Sequence, residues 1–237
     1  MLREFKFSPG LWPTIAAVAG IALTLALGSW QVSRGQEKSA LKARIEQLGR
    51  EPAVSVSGAE IDAKDVQWRR VQMRGTFDPG YTVFIDNRVH HGVAGYEVVM
   101  PLKLAGSDHY VLVNRGWIAG SGDRTRLPDV KTPPLTVTVS GLAVVPSKRF
   151  LELSTKVAEG NVWQNLTLER YRQAAPITIQ PFVVRQDSAL DDGLVREWEA
   201  PDLGITMHYG YAFQWFALAA TIFVFYLVVH VKRKPKG

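Results

Sequence analysis

The uncharged stretch at residues 11–30, LWPTIAAVAGIALTLALGSW, decides the architecture of the chain. An α-helix of about 20 apolar residues matches the hydrocarbon thickness of a bilayer. A cleaved signal peptide has a shorter apolar region and ends at a site of small residues, whereas this stretch runs on into Trp30. Trp12 and Trp30 stand at its two ends, where interfacial aromatic anchors are found. The stretch therefore predicts a retained transmembrane helix.

A second uncharged stretch lies near the other end of the chain, at residues 210–229, GYAFQWFALAATIFVFYLVV. Tyr209, Tyr211 and Trp215 crowd its beginning, as the aromatic belt of a membrane helix does. The basic segment KRKPKG, residues 232–237, follows shortly after it. We predict a second transmembrane helix over residues 208–231.

The charges that flank the two stretches predict their orientation. Cytoplasmic ends of membrane helices carry an excess of Lys and Arg, so the basic tail at residues 232–237 places the carboxyl terminus in the cytoplasm. Two spans then place residues 1–10 in the cytoplasm as well, and the domain of residues 31–207 on the far side. Because no Arg- and Ser-rich presequence precedes the first span, we predict a bacterial inner membrane and a periplasmic domain.

The composition excludes several classes of site. Of the 237 residues, 46% are hydrophobic and 21% are charged, proportions that are typical of a folded protein. The net charge is +6, but outside the tail the cations are scattered, which favours a lipid surface over a nucleic acid as a partner. Because there is no cysteine, disulfides and thiolate sites are excluded, and a metal site would use His and carboxylate ligands, or at most Met.

The segment between the two stretches predicts a helix followed by strands. Residues 33–48 carry Leu41, Ile45 and Leu48 at spacings of four and three, which predicts that the first helix continues as an amphipathic helix until Gly49. A short helix is predicted at residues 168–173. Alternating apolar residues and turn signals predict strands at residues 66–77, 81–86, 96–104, 110–118, 134–145 and 177–185.

The predicted fold class is a membrane protein in which two transmembrane α-helices flank a mainly-β (α+β) periplasmic domain. Closely spaced strands of this kind favour an antiparallel barrel or sandwich. A polar, proline-bearing connection at residues 123–134 is predicted to separate two halves of the sheet.

The sequence shows no catalytic constellation, and we predict that the chain is not an enzyme. A nucleophile elbow, a Gly-rich phosphate loop and a metal-spaced set of His and carboxylates are all absent from it. His90 and His91 would point to opposite faces of a strand, so we interpret them, together with His109, as exposed loop residues. Turn chemistry accounts for Asp191 and Asp192.

Several phrases of the sequence occur together in one known family. They are WRRV at residues 68–71, GTF at 75–77, GYEVVMPL at 95–102, VLVNRGW at 111–117, HYGYAFQWF at 208–216, and GSWQ at 28–31 followed by Arg34. In this combination the chain resembles the surfeit locus protein 1 family of cytochrome c oxidase assembly factors, from about Gly28 to the second span. One departure is that Thr206 and Met207 precede His208, where members often carry Asn directly before the His.

The resemblance implies a chaperone-like role in building haem-copper terminal oxidase. It implies that the chain binds haem a and supports its insertion into the largest oxidase subunit. The implied partners are cytochrome c oxidase subunit 1, haem a synthase and the lipid bilayer, and the oligomeric state is left open.

His208 is the candidate ligand to the haem iron, because an imidazole can serve as an axial ligand. If the helix includes His208, then Tyr211, Ala212 and Trp215 follow on the same face, and the small Ala212 would leave room for a flat ligand. The alternative is an interfacial His among aromatic anchors.

Gln214 and Arg115 are the other candidate cofactor-binding residues. Gln214 would bond a partner helix or a ligand group inside the membrane, or else bond within its own helix or face water. Arg115, in the VLVNRGW phrase, would pair with a haem propionate or an acidic patch on a partner, or with a carboxylate inside the domain. Arg69, Arg70 and Arg88 present the same alternatives.

Two other functions stay open at this point. The first is a membrane scaffold that stabilises an oxidase assembly intermediate without binding haem. The second is a membrane-bound enzyme of haem modification, which ranks last because one candidate His offers too few ligands for redox chemistry.

Overall fold

The chain divides into a helical unit, Met1–Arg44 with Ala200–Gly237, and a strand-rich unit, Ile45–Glu199. The computed structural model describes residues 5–121, 126–146, 158–199 and 201–233. In chain order the elements are β1 (Phe5–Phe7), α1 (Leu11–Arg50), β2 (Val54–Val56), α2 (Ala63–Val66), β3 (Arg70–Phe77), β4 (Val83–His90), β5 (Val93–Leu104), β6 (His109–Ala119), β7 (Val137–Val144), β8 (Ala158–Glu159), β9 (Val162–Trp163), α3 (Leu168–Ala174), β10 (Thr178–Gln186), α4 (Ile205–His230) and β11 (Val231–Arg233).

Helices α1 and α4 contain the two predicted spans. Each is long and apolar enough to cross a membrane, by length and composition. Apolar side chains on both helices are not covered by other residues of the chain. Trp12, for example, is 79% exposed and Phe213 is 74% exposed, as expected of a surface that lipid covers. The 40 residues of α1 make it about 60 Å long, roughly twice the hydrocarbon thickness. The predicted continuation beyond the first span is therefore confirmed.

Helices α1 and α4 pack against each other in antiparallel fashion. Glycines on α1 form the seam, because they let side chains of α4 approach the α1 backbone closely. The contacts pair Gly20 with Ile222, Gly28 with Phe216 and Gly35 with Tyr209. Near the chain ends, Thr14 Oγ1 lies 2.7 Å from the Tyr226 hydroxyl, and β1 pairs with β11. Both described chain ends thus lie at the same end of the helix pair, as two spans require.

Strands β3, β7, β10, β6 and β5 form a closed five-stranded barrel. The sheet order is β2-β3-β7-β10-β6-β5-β4-β9-β8, and β3 also pairs with β5. The predicted mainly-β domain is confirmed as a barrel. The prediction of antiparallel strands is correct in part, because β10–β6, β2–β3 and β4–β9 are parallel pairs. Strand β10 follows a long connection that includes α3, and such a connection allows a parallel return.

The barrel closes at Gly75, which takes part in the pairings of β3 with β7 and with β5. Residues up to Gly75 pair with β7, and residues from Gly75 to Phe77 pair with β5. A Cβ at this position would overlap the carbonyl oxygen of Lys103 and lie 2.9 Å from Leu102 Cγ, so only glycine fits the corner. The core packed around this closure includes Val71, Met73, Phe77, Met100, Leu102, Val113, Val139 and Phe182.

Two predicted strands have different bounds in the structure. Strand β3 begins at Arg70 rather than at residue 66, because α2 ends at Val66 and Trp68 has a φ of 66°, outside the β region. Strand β4 continues to His90 rather than ending at residue 86. Asn87 takes a φ of 58° within an irregularity of the β4–β5 pairing, so it bulges the strand without ending it.

The remaining predicted elements are confirmed within a few residues, as β5, β6, β7, α3 and β10. The connection at residues 123–134 does not separate two halves of a sheet, because β7, which follows it, joins β3 and β10 in the same barrel. Its residues 123–125 lie outside the described part of the chain.

Candidate functional site

His208 lies in the first turn of α4 and has a hydrogen-bond partner on α1. Its Nδ1 is 2.7 Å from Oε1 of Gln31, so the ring N–H donates to the amide oxygen. Both side chains are half-buried. Gln31 lies on α1 between Gly28 and Gly35, two seam positions that are each about one helical turn away. Because the two helices pack closely at both glycines, the Gln31 side chain is near enough to contact His208.

This hydrogen bond fixes the imidazole in the form that a metal ligand needs. With the proton on Nδ1, Nε2 carries the free lone pair, and no hydrogen bond from a described residue engages Nε2. Metal-ligating histidines almost always donate their other N–H to a carboxylate, a carbonyl oxygen or water, which orients the ring. The residues present therefore fit an axial haem ligand. Although Asn does not precede His208 in this chain, Gln31 orients the ring from α1.

The other side chains predicted around His208 differ in exposure. Tyr211 is 52% exposed and Trp215 is half-buried. Gln214 is exposed, and no hydrogen bond joins its amide to the described residues. Ala212 is 3% exposed, so the prediction that it leaves room for a flat ligand is wrong. The small side chain of Ala212 instead allows close packing around it. Of these side chains, the exposed Tyr211 ring is the one that a ligand could contact.

Arg115 lies in a bulge of β6 that turns its side chain into the barrel. The β5–β6 register shifts between Val98 and Val99, which face Gly116 and Asn114, so Arg115 is the extra residue. Gly116 has a φ of 138°, and a Cβ there would lie 2.6 Å from a backbone carbonyl oxygen. The Asn-Arg-Gly sequence therefore forms a bulge that buries an arginine.

The Arg115 guanidinium is 0% exposed, and its terminal nitrogens are directed at groups of the chain itself. Nη2 donates to Asp192 Oδ2 at 2.9 Å and to the Lys131 carbonyl at 2.8 Å, and Nη1 donates to Thr132 Oγ1 at 3.0 Å. The group also lies 4.6 Å from the ring centroid of Phe77. Burial lowers the pKa of Arg115, and the carboxylate opposes that shift. Of the alternatives for Arg115, the structure supports pairing with a carboxylate inside the domain.

Asp192 is the buried acid that neutralises this arginine. Its side chain is 2% exposed, and Oδ2 also pairs with Nη2 of Arg196. Its Oδ1 accepts a hydrogen bond from the Leu194 N–H at 3.2 Å. This bond to the backbone two residues further on is the turn contact that the sequence indicates for Asp192. Its Oδ2 has a second role, as the counter-ion of two arginines, which turn chemistry does not indicate. The neighbouring Asp191 is exposed.

The other candidate arginines also pair with carboxylates of the same unit. The pairs are Arg69 with Glu51 at 3.3 Å, Arg70 with Asp187 at 2.8 Å and Arg88 with Glu97 at 3.5 Å. These partly exposed pairs contribute little stability each, and they favour the internal role for all three arginines.

His90 and His91 lie together rather than on opposite faces of a strand. Their ring centroids are 4.2 Å apart, and the Nε2 atoms lie 3.5 and 3.3 Å from Oε2 of Glu197. Strand alternation does not apply to His91, because it belongs to a hairpin turn with a φ of 46°. The interpretation as an exposed loop residue is therefore correct for His91, which is 78% exposed, and wrong for His90, the half-buried last residue of β4. His109 is half-buried rather than exposed, and its Nδ1 contacts the carbonyl oxygen of Gly58.

Three partner residues were missed by the sequence analysis: Gln31, Asp192 and Glu197. Gln31 carries a signal, because it ends the GSWQ phrase at the exit of the first span. Antiparallel spans bring that exit close to the entrance of the second span, where His208 lies. Asp192 and Glu197 lie in a segment without hydrophobic periodicity, so no pattern indicates their contacts.

Comparison with known proteins gives the family of the chain. Residues 18–220 match the family model described as the SURF1 family. A SURF1-like protein of Rickettsia felis is 26% identical over 213 residues, which cover 87% of this chain and 91% of that protein. A SURF1-like protein of Drosophila melanogaster is 30% identical over 244 aligned positions, covering 90% of this chain and 76% of that protein. Surfeit locus protein 1 of Arabidopsis thaliana is 30% identical over 122 residues, 46% of this chain and 34% of that protein. With most of its length matched, from the first span into the second, the chain belongs to the SURF1 family.

Proposed function

We propose that the chain is an assembly factor for haem-copper cytochrome c oxidase that binds haem a through His208 and aids its insertion into the largest oxidase subunit. The SURF1 family is known for oxidase assembly factors, which supports the general role. The single observation that carries the haem proposal is the hydrogen bond from His208 Nδ1 to Gln31, because it leaves Nε2 as the nitrogen for iron.

The residues near the start of α4 share the task of holding the haem. His208 would provide the axial nitrogen while Gln31 fixes the ring orientation. Tyr211 and Trp215 would supply aromatic surface for a porphyrin. Bound haem a would be the cargo that the chain delivers to the oxidase. Arg115 is left out of this site because its guanidinium is fully buried against Asp192.

The proposed location is a bacterial inner membrane, with both termini cytoplasmic and the barrel periplasmic. The antiparallel pair of apolar helices supports a two-span topology. The basic residues that follow α4 support the cytoplasmic assignment of the carboxyl terminus, and two spans place the amino terminus on the same side.

The proposed partners are cytochrome c oxidase subunit 1 and haem a synthase. Gln214 supports a partner within the membrane, because its exposed amide would otherwise face lipid, where an unpaired polar group is costly. Tyr211, three residues earlier on the same face of α4, is 52% exposed and extends this surface for a partner helix.

The proposal is tested in a bacterium that makes haem a and lacks its own family member. Cells receive the wild-type chain, His208→Ala, or His91→Asn as a histidine control outside the helix pair. The haem a content per oxidase subunit 1 is then measured in purified membranes. We expect the wild type and His91→Asn to restore the haem content, and His208→Ala to leave it at the level of cells without the chain.

The same exposed face of α4 favours one alternative, a scaffold that docks on the oxidase without binding haem. That function would be supported if His208→Ala restored the haem content fully and still copurified with subunit 1. Gln214→Leu would then reduce copurification with subunit 1. The haem-binding proposal, in contrast, requires the haem content to depend on His208, whether or not Gln214 contributes to copurification.

A further inference from the structure

The hairpin that joins β4 to β5 brings two imidazoles to one place. His90 is the last residue of β4 and pairs with Val93 of β5, so His91 and Gly92 form the two-residue turn. Their φ angles are 46° and 80°, and both signs are positive, as a type I′ turn requires. Histidine is among the residues that tolerate this left-handed region. Because of this turn, the His91 ring comes to lie beside the His90 ring.

A carboxylate from a distant part of the chain completes the cluster. Glu197 Oε2 lies 3.5 Å from Nε2 of His90 and 3.3 Å from Nε2 of His91. The donor atoms of the three residues all lie within 4.8 Å of one another. Tetrahedral coordination with bonds of 2.0–2.1 Å places neighbouring ligand atoms about 3.4 Å apart. The two nitrogen–oxygen distances match that spacing, and the shorter one also corresponds to a long hydrogen bond between His91 and Glu197.

Packed aromatic side chains hold the cluster in position. The ring of His90 lies 5.1 Å from the ring of Trp117, whose Nε1 donates to the Arg88 carbonyl at 2.8 Å. The backbone of Trp117 pairs with Val195, two residues before Glu197. The three ligands thus rest on the barrel wall and on a segment bonded to it. They open into a surface cleft of about 220 Å³, which Trp198 and Glu199 also line.

We propose that His90, His91 and Glu197 form a binding site for one divalent transition-metal cation of the Zn²⁺ or Cu²⁺ type. Imidazole nitrogens and one carboxylate oxygen are the donors that these cations accept in a protein without cysteine. Three ligands leave a fourth position open, and His91 and Glu197 are 78% and 68% exposed. Structural sites are closed by four ligands, so the cation held here would be exchangeable.

The site is independent of the proposed haem site, because it uses none of the residues around His208 and lies wholly within the strand-rich unit. The proposal goes beyond the assembly function. It predicts that the strand-rich unit itself can take up a metal ion.

The test uses the full chain in detergent, with any histidine tag removed. Zn²⁺ binding is measured by competition with a chromophoric chelator, and bound Cu²⁺ is examined by electron paramagnetic resonance. The variants are His91→Asn, which keeps a residue that tolerates the left-handed turn, and Glu197→Gln. Glu199→Gln is the matched control, because it removes the same charge from the same cleft outside the donor set.

We expect one Zn²⁺ per chain at this site, and a Cu²⁺ spectrum with hyperfine splitting from two imidazole nitrogens. His91→Asn and Glu197→Gln should each weaken binding by at least about 10-fold, whereas Glu199→Gln and His208→Ala should stay within about 3-fold. An absence of saturable binding would overturn the proposal. So would equal affinity of His91→Asn, Glu197→Gln and the wild type, since the metal would then bind elsewhere.

Discussion

Replacing Asp192 by Asn removes the carboxylate from a buried site that holds two arginines. The side chain of Arg115 is 0% exposed and that of Arg196 is 11% exposed, so neither charge is well solvated in the folded chain. Removing one partner of a buried ion pair costs about 3–5 kcal/mol, because the remaining charge stays buried without compensation.

The contacts that remain place this substitution in the lower part of that range. The Lys131 carbonyl and the Thr132 hydroxyl still accept hydrogen bonds from Arg115, and Asn offers one oxygen as an acceptor. We therefore expect a loss of about 3–4 kcal/mol in the free energy of unfolding. For a unit of the size of Ile45–Glu199, each kcal/mol lowers Tm by about 2–4 °C, which gives a fall of about 6–16 °C.

The assay is thermal unfolding of the full chain in detergent, followed by tryptophan fluorescence. Asp191→Asn is the matched control, because it removes the same charge one residue earlier at an exposed position. We expect this control to change Tm by no more than about 2 °C. If Asp192→Asn and Asp191→Asn unfolded at the same temperature, Asp192 would not be the residue that holds Arg115, and the reasoning would be refuted.

Three further predictions concern stability and packing. Burial raises the pKa of the Tyr171 hydroxyl, so the folded chain keeps that proton while the unfolded chain releases it above about pH 10. Stability should therefore fall as the pH rises above that value, and Tyr171→Phe should flatten the fall in alkaline unfolding curves; equal slopes would contradict this. Gly75→Ala should destabilise the barrel by about 3 kcal/mol in denaturant unfolding, the upper end of typical overpacking costs, because its Cβ would overlap the Lys103 carbonyl oxygen; an unchanged midpoint would show that the barrel closes differently. Gly28→Leu should separate the two helices, because even a Cβ would lie 2.6 Å from the Phe216 ring, and crosslinking between cysteines introduced into both helices should drop; undiminished crosslinking would contradict the seam.

The parts of the fold that the sequence predicts are those with local causes. A run of about 20 uncharged residues has few alternatives to a membrane helix, and the alternating apolar residues at 134–145 mark β7. Barrel closure does not have a local cause. It depends on the Lys103 carbonyl oxygen approaching the Gly75 backbone closely, so that β3 can pair with β7 on one side and β5 on the other. The sequence shows only a glycine inside a strand, which does not indicate that contact.

In the candidate site, too, residues within a local sequence phrase can be predicted, whereas contacts between distant residues cannot. His208 could be named from the sequence, because it stands at the entrance of a span within a specific phrase. Its partner Gln31 is 177 positions away, and only the packing of α1 against α4 brings the two side chains together. For Arg115 the sequence left a ligand and an internal carboxylate as alternatives, because neither the bulge that buries it nor the acid 77 positions away is visible in a pattern.

The absorption spectrum of the purified chain tests the central proposal most directly. The wild type, His208→Ala and Gln31→Ala are purified in detergent from cells that make haem a, and extracted haem is identified by chromatography. We expect the Soret and visible bands of haem a in the wild type and their loss in His208→Ala. In Gln31→Ala we expect haem retention weakened about 10- to 100-fold, with shifted bands, because the imidazole loses its orienting partner. A colourless wild type, or a His208→Ala chain that keeps the same haem with the same bands, would contradict it.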